Sequence, residues 1–241
     1  RSLSMILTIW KQEFNAWRQQ SVSSWILPSL ISNFAPHYPN IRINLIEENT
    51  TQLTELLQKG IVDLILDNTT LDSAVFDSKL YKEEHLVLAV PHSFSINSEL
   101  TSFQIPNDLI EQKDFQMDSV PVVRFRLFSD LPFIMLRNEN DTGRRARLIC
   151  QDSNFKPNII LNMDQQMTAY NICQSGLGIC FIGDIILSRI PRNKNVVYYR
   201  LPTQHNTRRV CFYWKKDVIF GAMEEFLNGC CRIDESFSVF T

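Results

Sequence analysis

The chain has 241 residues, 44% of them apolar and 21% charged, and a formal net charge of −2. This is the composition of an ordinary soluble globular protein with one large or two small domains. It excludes a general electrostatic attraction to nucleic acid, and no apolar run approaches the length needed to span a bilayer.

The N-terminus, RSLSMILTIW, meets Lys11 and Glu13 too soon for a signal peptide and shows no small-residue cleavage site. Six scattered cysteines (Cys150, Cys173, Cys180, Cys211, Cys230 and Cys231) make no CxxC pair and no zinc-like Cys–His spacing. They read as reduced, mostly buried thiols, and the expected location is cytoplasmic. No metal and no cofactor is expected.

Residues 3–10 read as a first strand, and 11–20 carry no clear period. Ser21, Ser23 and Ser24 precede an apolar helix, WILPSLISNF, with Pro28 expected in its first turn. Pro36 and Pro39 end it. From Tyr38 to Asn68 the pattern is strand, turn, helix, strand. Ile41, Ile43 and Leu45 alternate with polar residues. Asn49, Thr50 and Thr51 offer N-caps to a helix over 51–59 whose apolar face is Leu53, Leu56 and Leu57. Gly60 stands where a helix ends in a left-handed residue. Residues 61–66 then form an apolar strand, expected parallel to the first as in a βαβ unit. The helix N-terminus and the strand end at Asp67 and Asn68 should open on one sheet edge, a place suited to an anion. Plain capping also accounts for Thr50 and Thr51.

Next come a strand over 86–90 closed by Pro91, and an irregular stretch, 92–131, in which 100–103 and 120–128 are candidates for pairing. A second βαβ pattern follows: strand 133–136, the polar turn RNEND, a basic helix over 142–151 and a strand over 159–161. Asp164 is read as the cap of a helix carrying Met167, Tyr170, Ile172 and Cys173. After the turn at 175–178 come strand 179–182, a short helix over 184–189, strands 196–201 and 210–214, and a helix over 219–227. Alternating strands and helices indicate an α/β protein with two parallel-rich sheets, and a changeover near residue 90 indicates two lobes with a ligand cleft between them.

Catalytic chemistry finds no support. The four histidines are dispersed, no Ser-His-Asp spacing or phosphate loop is present, and GLGICFIG leads into a strand rather than a helix, unlike a dinucleotide site. Arg144, Arg145 and Arg147 read first as a solvated helix face and second as an anion or partner contact.

The segment ILPSLISNFAPHYPNIRINLIEENTTQLTELLQKGIVDLILDN resembles the effector-binding domain of LysR-type transcriptional regulators. LVLAVP, FKPNIILNMDQQMTAYNICQSGLGICFIGD and RRVCFYWKKD with AMEEFL continue the resemblance, which covers about 25–241. It implies an α/β, two-lobed type II periplasmic-binding-protein-like fold, each lobe a mixed sheet flanked by helices. The first lobe would comprise residues 1–84 and 209–241, the second 85–208. The family's DNA-binding helix-turn-helix is absent from this chain, so DNA would be a partner only through that further domain.

The resemblance also implies effector contacts at Ser21, Ser23 and Ser24, at Thr50 and Thr51, at Asn68, at Asn138, Asn140, Asp141 and Thr142, and at Asp164 and Gln165. Hydroxyls, amides and helix N-termini there suit a small anion or carboxylate, whereas Glu139, Asp141 and Asp164 would instead suit an amine. Implied partners are a small-molecule effector and further copies of the chain, as a homodimer or homotetramer with the helices near Trp25 and Thr142 as surfaces, and no membrane. The chain departs from the family in KQEFNAWRQQ, which is longer and bulkier than usual, and in a longer 97–131. An extracytoplasmic solute-binding protein on the same fold is the alternative.

Overall fold

The computed structural model describes residues 4–8, 23–39, 41–46, 50–111, 119–191, 193–202, 205–218 and 221–236. Ser21, Asn49 and the stretch 11–20 lie outside the described residues, as do the side chains of Ser23, Ser24, Thr50, Cys230 and Cys231. The chain divides into two units, Arg1–Glu83 with Arg209–Thr241 and Glu84–Arg208.

In the first unit, β1 (Ser4–Thr8) pairs in parallel with β2 (Arg42–Leu45). Helix α1 (Ser23–Phe34) begins early enough that Pro28 falls beyond its first turn, where it forgoes a helical hydrogen bond. Its end is held by aromatic packing. Phe34 stacks on Tyr38 at 4.3 Å and meets Phe226 edge-on at 5.1 Å, while the Tyr38 hydroxyl donates to Glu225 at 2.8 Å. Phe226 belongs to α8 (Gly221–Ser236).

Helix α2 (Thr50–Gln58) ends as the sequence requires. Gly60 has φ +68, and the Ile61 amide reaches back to the Leu56 carbonyl at 2.9 Å. Leu57 is fully buried, with Leu53 and Leu56 packed against the same cluster. The following strand differs from expectation. Only β3 (Ile65–Asp67) is extended, and it pairs antiparallel with β9 (Thr207–Lys215), Leu66 opposite Phe212. The ladder of β2 runs to β1, so the expected 41–66 βαβ pair is replaced by two separate pairings.

In the second unit, the far half of β4 (Phe76–Pro91) pairs antiparallel with β7 (Cys180–Gly183) and β8 (Val196–Arg200). Residues 86–90 of β4 are fully buried. This sheet is antiparallel; among the described residues parallel pairing is seen in β1–β2, in β5 (Pro132–Leu136) with β6 (Asn158–Met163), and in a single bridge between Phe133 and Ile179. The β5–β6 pair with α5 (Asp141–Asp152) between its strands is the βαβ unit expected from the second pattern.

Residues 100–103 and 120–128 do not pair with each other. After α3 (Ile96–Glu99), Thr101–Phe103 is a 3₁₀ turn, followed by α4 (Asn107–Glu111) and a further 3₁₀ turn at Phe125–Phe128. Phe125 and Phe128, three apart, fall on one side of a three-residue turn and enter the core together. There Phe125 meets Phe133, Phe155 and Phe181 at 6.2, 5.1 and 5.8 Å.

The remaining helices of this unit, α6 (Gln166–Gln174) and α7 (Asp184–Leu187), flank β7. Cys150, Cys173, Cys180 and Cys211 are free and buried, and burial pushes the Cys150 thiol up to about 12.

Helix α5 sits close to the end of β5. A β-carbon on Gly143 would collide with the carbonyl oxygens of Leu136 and Arg137. A helical glycine costs about 1 kcal/mol relative to alanine, so this close approach outweighs propensity. Gly143→Ala is expected to destabilise the protein by about 1–3 kcal/mol, the usual cost of overpacking, read as a lower midpoint in urea with an unchanged slope. An unchanged or raised midpoint would show that the contact yields.

Candidate functional site

The N-terminus of α5 gathers most of the second-unit residues singled out by sequence. The Arg137 amide donates to Met163 at 2.9 Å, and the Asn140 amide closes the turn on Arg137 at 3.1 Å. Asn140 is the N-cap, its side-chain oxygen accepting from the Thr142 amide at 2.9 Å. Its Nδ2 donates to the Asp164 carbonyl at 3.4 Å, which brings the starts of α5 and α6 together. Asn138 and Glu139 are exposed.

Thr142 is buried, and its hydroxyl oxygen accepts from Gln166 Nε2 at 2.6 Å. Gln166 Oε1 in turn accepts from the Gly183 amide at 3.1 Å. Asp164 does not cap α6. It pairs with Arg137 at 2.8 Å on the surface, and Gln165 holds the N-cap position with no side-chain cap bond.

Asp141 is the hub of a charge cluster. Its Oδ1 accepts from Arg144 at 2.6 Å and its Oδ2 from Arg208 Nη1 at 2.9 Å, with Arg145 Nη1 at 3.7 Å. Arg208 also donates through Nε to Glu84 Oε2. Glu84 is fully buried beside Gly183, where a β-carbon would strike its carboxyl. Arg145 donates to the carbonyls of His205, at 2.9 Å, and Asn206. His85 Nδ1 lies 3.1 Å from Asp184 Oδ2, and the His85 amide donates to Asp184 Oδ1 at 3.1 Å. The cluster joins β4, α5, α7 and β9 within one unit.

Burial acts to raise the Asp141 pKa, but Arg208, Arg145 and Arg144 outweigh it and hold the group below the usual carboxylate range. For Glu84 burial wins: the carboxyl is pushed up despite the pull of Arg208. Burial and neighbouring Arg208 lower Arg145 to about 10, so it stays charged at neutral pH. Glu84, Gln166 and Arg208 were not among the candidates read from sequence, and Arg145, read first as part of a solvated helix face, is instead buried against the carbonyls of His205 and Asn206. The available signal was Glu84, an acid two residues before Leu86 and so on the same face of β4 as Leu86 and Leu88. Nothing in the local pattern marks Arg208 or Gln166.

In the first unit, Thr51 is exposed in the first turn of α2, and Asn68 is half-buried just after β3, where Asp67 Oδ1 accepts from the Thr69 amide at 2.8 Å. Among the described residues no group of three or more His, Cys, Asp or Glu side chains could hold a metal ion, and no helix is long and apolar enough to cross a membrane.

The profile of the LysR substrate binding domain family matches residues 19–230. This chain belongs to that family. Among its relatives is the uncharacterized HTH-type transcriptional regulator YcgK of Bacillus subtilis, 22% identical over 85% of this chain and 61% of that protein. The HTH-type transcriptional regulator BenM of Acinetobacter baylyi is 30% identical over 44% of this chain and 36% of its own length. The chain thus spans less than two thirds of these regulators.

Two solved LysR-type domains share the fold. The BenM effector binding domain with benzoate gives a TM-score of 0.69 at 16% identity, covering 91% of this chain and 90% of that one. The CcmR regulatory domain of Synechocystis in complex with 2-PG gives 0.71 at 12%, covering 97% and 98%. The fold is therefore the type II periplasmic-binding-protein-like fold of LysR effector-binding domains.

Removing Arg208 leaves two carboxylates without their shared cation. Arg208→Met is expected to cost about 3–5 kcal/mol of this domain's stability, measured by urea unfolding; a loss under about 1 kcal/mol, the range of an exposed pair, would show that the bridge is not buried in solution. Opposite pH signs are expected for the two acids. The raised Glu84 favours the fold below 4.5 and loses that contribution as pH rises through its folded pKa. Glu84→Gln should therefore gain thermal stability relative to wild type as pH rises from 4.5 through the folded pKa of Glu84, and hold that gain above it. Asp141, held low, contributes above 3.8 and loses it as pH falls through its folded pKa, so the deficit of Asp141→Asn should vanish in acid. Parallel pH profiles for wild type and both variants would contradict these assignments.

Proposed function

We propose that this chain is the small-molecule sensor of a DNA-binding transcriptional regulator, and that its effector is a small anion, most simply a carboxylate. The observation that supports the reading is the N-terminus of α5, a twelve-residue helix capped by Asn140 with Asn138 exposed beside it, whose dipole and polar turn suit an oxygen-rich ligand. Gln165 adds a further amide nearby. The amine alternative weakens because Asp141 and Asp164 are already paired with arginines.

In the first unit the proposed contacts are Ser21, Ser23, Ser24, Thr50, Thr51 and Asn68. The BenM domain binds benzoate, a carboxylate, which supports the same ligand class here. Effector binding would act by population shift, favouring one arrangement of a homo-oligomer in which α1 and α5 meet other copies. DNA would be engaged through a helix-turn-helix domain, as in the HTH-type relatives. The expected compartment is the cytoplasm.

A thermal-shift screen against benzoate, other carboxylates, inorganic phosphate and amines tests this. A ligand at 100 times its Kd adds about 2.7 kcal/mol, a shift on the order of 5–10 °C for a domain of this size. A carboxylate shift reduced by Asn140→Ala and by Asn68→Ala is the expected outcome. Shifts only from amines would overturn the anion reading, and a carboxylate shift indifferent to both variants would overturn the assigned residues.

A further inference from the structure

The cluster around Asp141 sits at a particular place in the chain. The second unit is entered at Glu84 and left at Arg208, and these two residues are joined by the ion pair described above. Arg208 then reaches Asp141, the first residue of α5, at 2.9 Å. Arg145, one turn on, holds the carbonyls of His205 and Asn206. The Asn206 carbonyl also accepts from the Leu86 amide of β4 at 3.1 Å. Every element of this group is tied to the first two turns of α5, whose cap is the proposed effector contact.

We infer that Arg208 is a positioning residue that couples the state of the α5 N-terminus to the two segments, 84–86 and 205–208, by which the chain enters and leaves the second unit. The inference rests on the proposed effector reading for its biological input, but its wiring is a property of the chain alone. A guanidinium has a planar fork that can serve two carboxylates at once, whereas an ammonium acts as a point charge. Bridging therefore requires arginine, and charge by itself does not suffice. An anion seated at Asn140 and Thr142 loads the first turn of α5. Because Asp141 is in that turn, the load passes to Arg208, to Glu84, and so to the start of the buried half of β4. Without Arg208, α5 would keep only the Arg145 contacts to His205 and Asn206, and the response of β4 would be blunted because Glu84 loses its link to Asp141.

Amide exchange at Leu86 is the reporter, with Thr142 reporting the cap itself and Phe181, on β7, reporting global opening. Asn140→Ala perturbs the cap without touching Arg208. In wild type it should accelerate Leu86 exchange about fivefold, the scale of a lost cap, with little change at Phe181. In Arg208→Met and Arg208→Lys backgrounds the same substitution should change Leu86 less than about twofold. Glu84→Gln, which keeps the shape of the site, serves as the background if the arginine variants do not fold, and should also blunt the response. Equal acceleration in every background, or none at Leu86 in wild type, overturns the coupling.

A second arm adds benzoate and, separately, inorganic phosphate. A probe that protects Thr142 should alter Leu86 in wild type and leave it unaltered in Arg208→Lys. If neither probe protects Thr142, the effector reading fails at this site, while the cap variant still decides the role of Arg208.

Discussion

One guanidinium shared by two carboxylates organises the second unit. Arg208 comes from β9, Glu84 from β4 and Asp141 from α5, three segments far apart in sequence. None of them could bury its charge alone, because an unpaired ion in the interior costs several kcal/mol. Each therefore obliges the other two to be present. The consequence is geometric as much as energetic. The helix start at Asp141 cannot drift from the strands, and the cap built on Asn140 inherits that fixity. Gly143 completes the restraint by letting α5 settle onto the carbonyls that end β5.

This arrangement also shapes what the α5 N-terminus can recognise. An acid at the first position of a helix ordinarily competes with an anionic ligand for the helix dipole. Here three arginines neutralise Asp141, so the remaining local character is that of the helix dipole and a capped turn. Thr142 is anchored separately through Gln166 to the Gly183 amide. Backbone and side chain are held from opposite sides, which lowers the ordering cost of binding.

Local features of the fold were legible because they are written in adjacent residues. The Leu53, Leu56 and Leu57 face with Gly60 defines α2 and its end, and the strand-turn-helix-strand pattern from Phe133 to Leu161 defines a true parallel unit. The strand after Gly60 was misassigned because an apolar run does not name its partner. The partner of β3 is β9, nearly 150 residues away, and antiparallel pairing at that distance leaves no local trace. The turns around Phe103 and Phe125 were missed for a related reason: a three-residue period over four residues is too short to separate from irregular chain. Within the candidate site, Asn140, Asp141 and Thr142 were named through the resemblance alone. Glu84, Gln166 and Arg208 were not, and Arg145 was read first as a solvated helix face, because their roles depend on contacts made across long stretches of sequence. Asp164 reads as a cap from its residue type, whereas the helix starts one residue later, with Gln165 at the cap position and Asp164 paired with Arg137.

The buried cysteines give the molecule internal reporters of its own. Cys150, Cys173 and Cys180 are enclosed in the second unit and Cys211 in the first, and a thiol held near 12, as at Cys150, carries almost no thiolate at neutral pH. Such sulfurs react with an alkylating reagent only during excursions that open the surrounding core. Their modification rates therefore time the opening of each half of the chain separately. Chemistry that is silent in the folded protein becomes a clock for how often, and where, it comes apart.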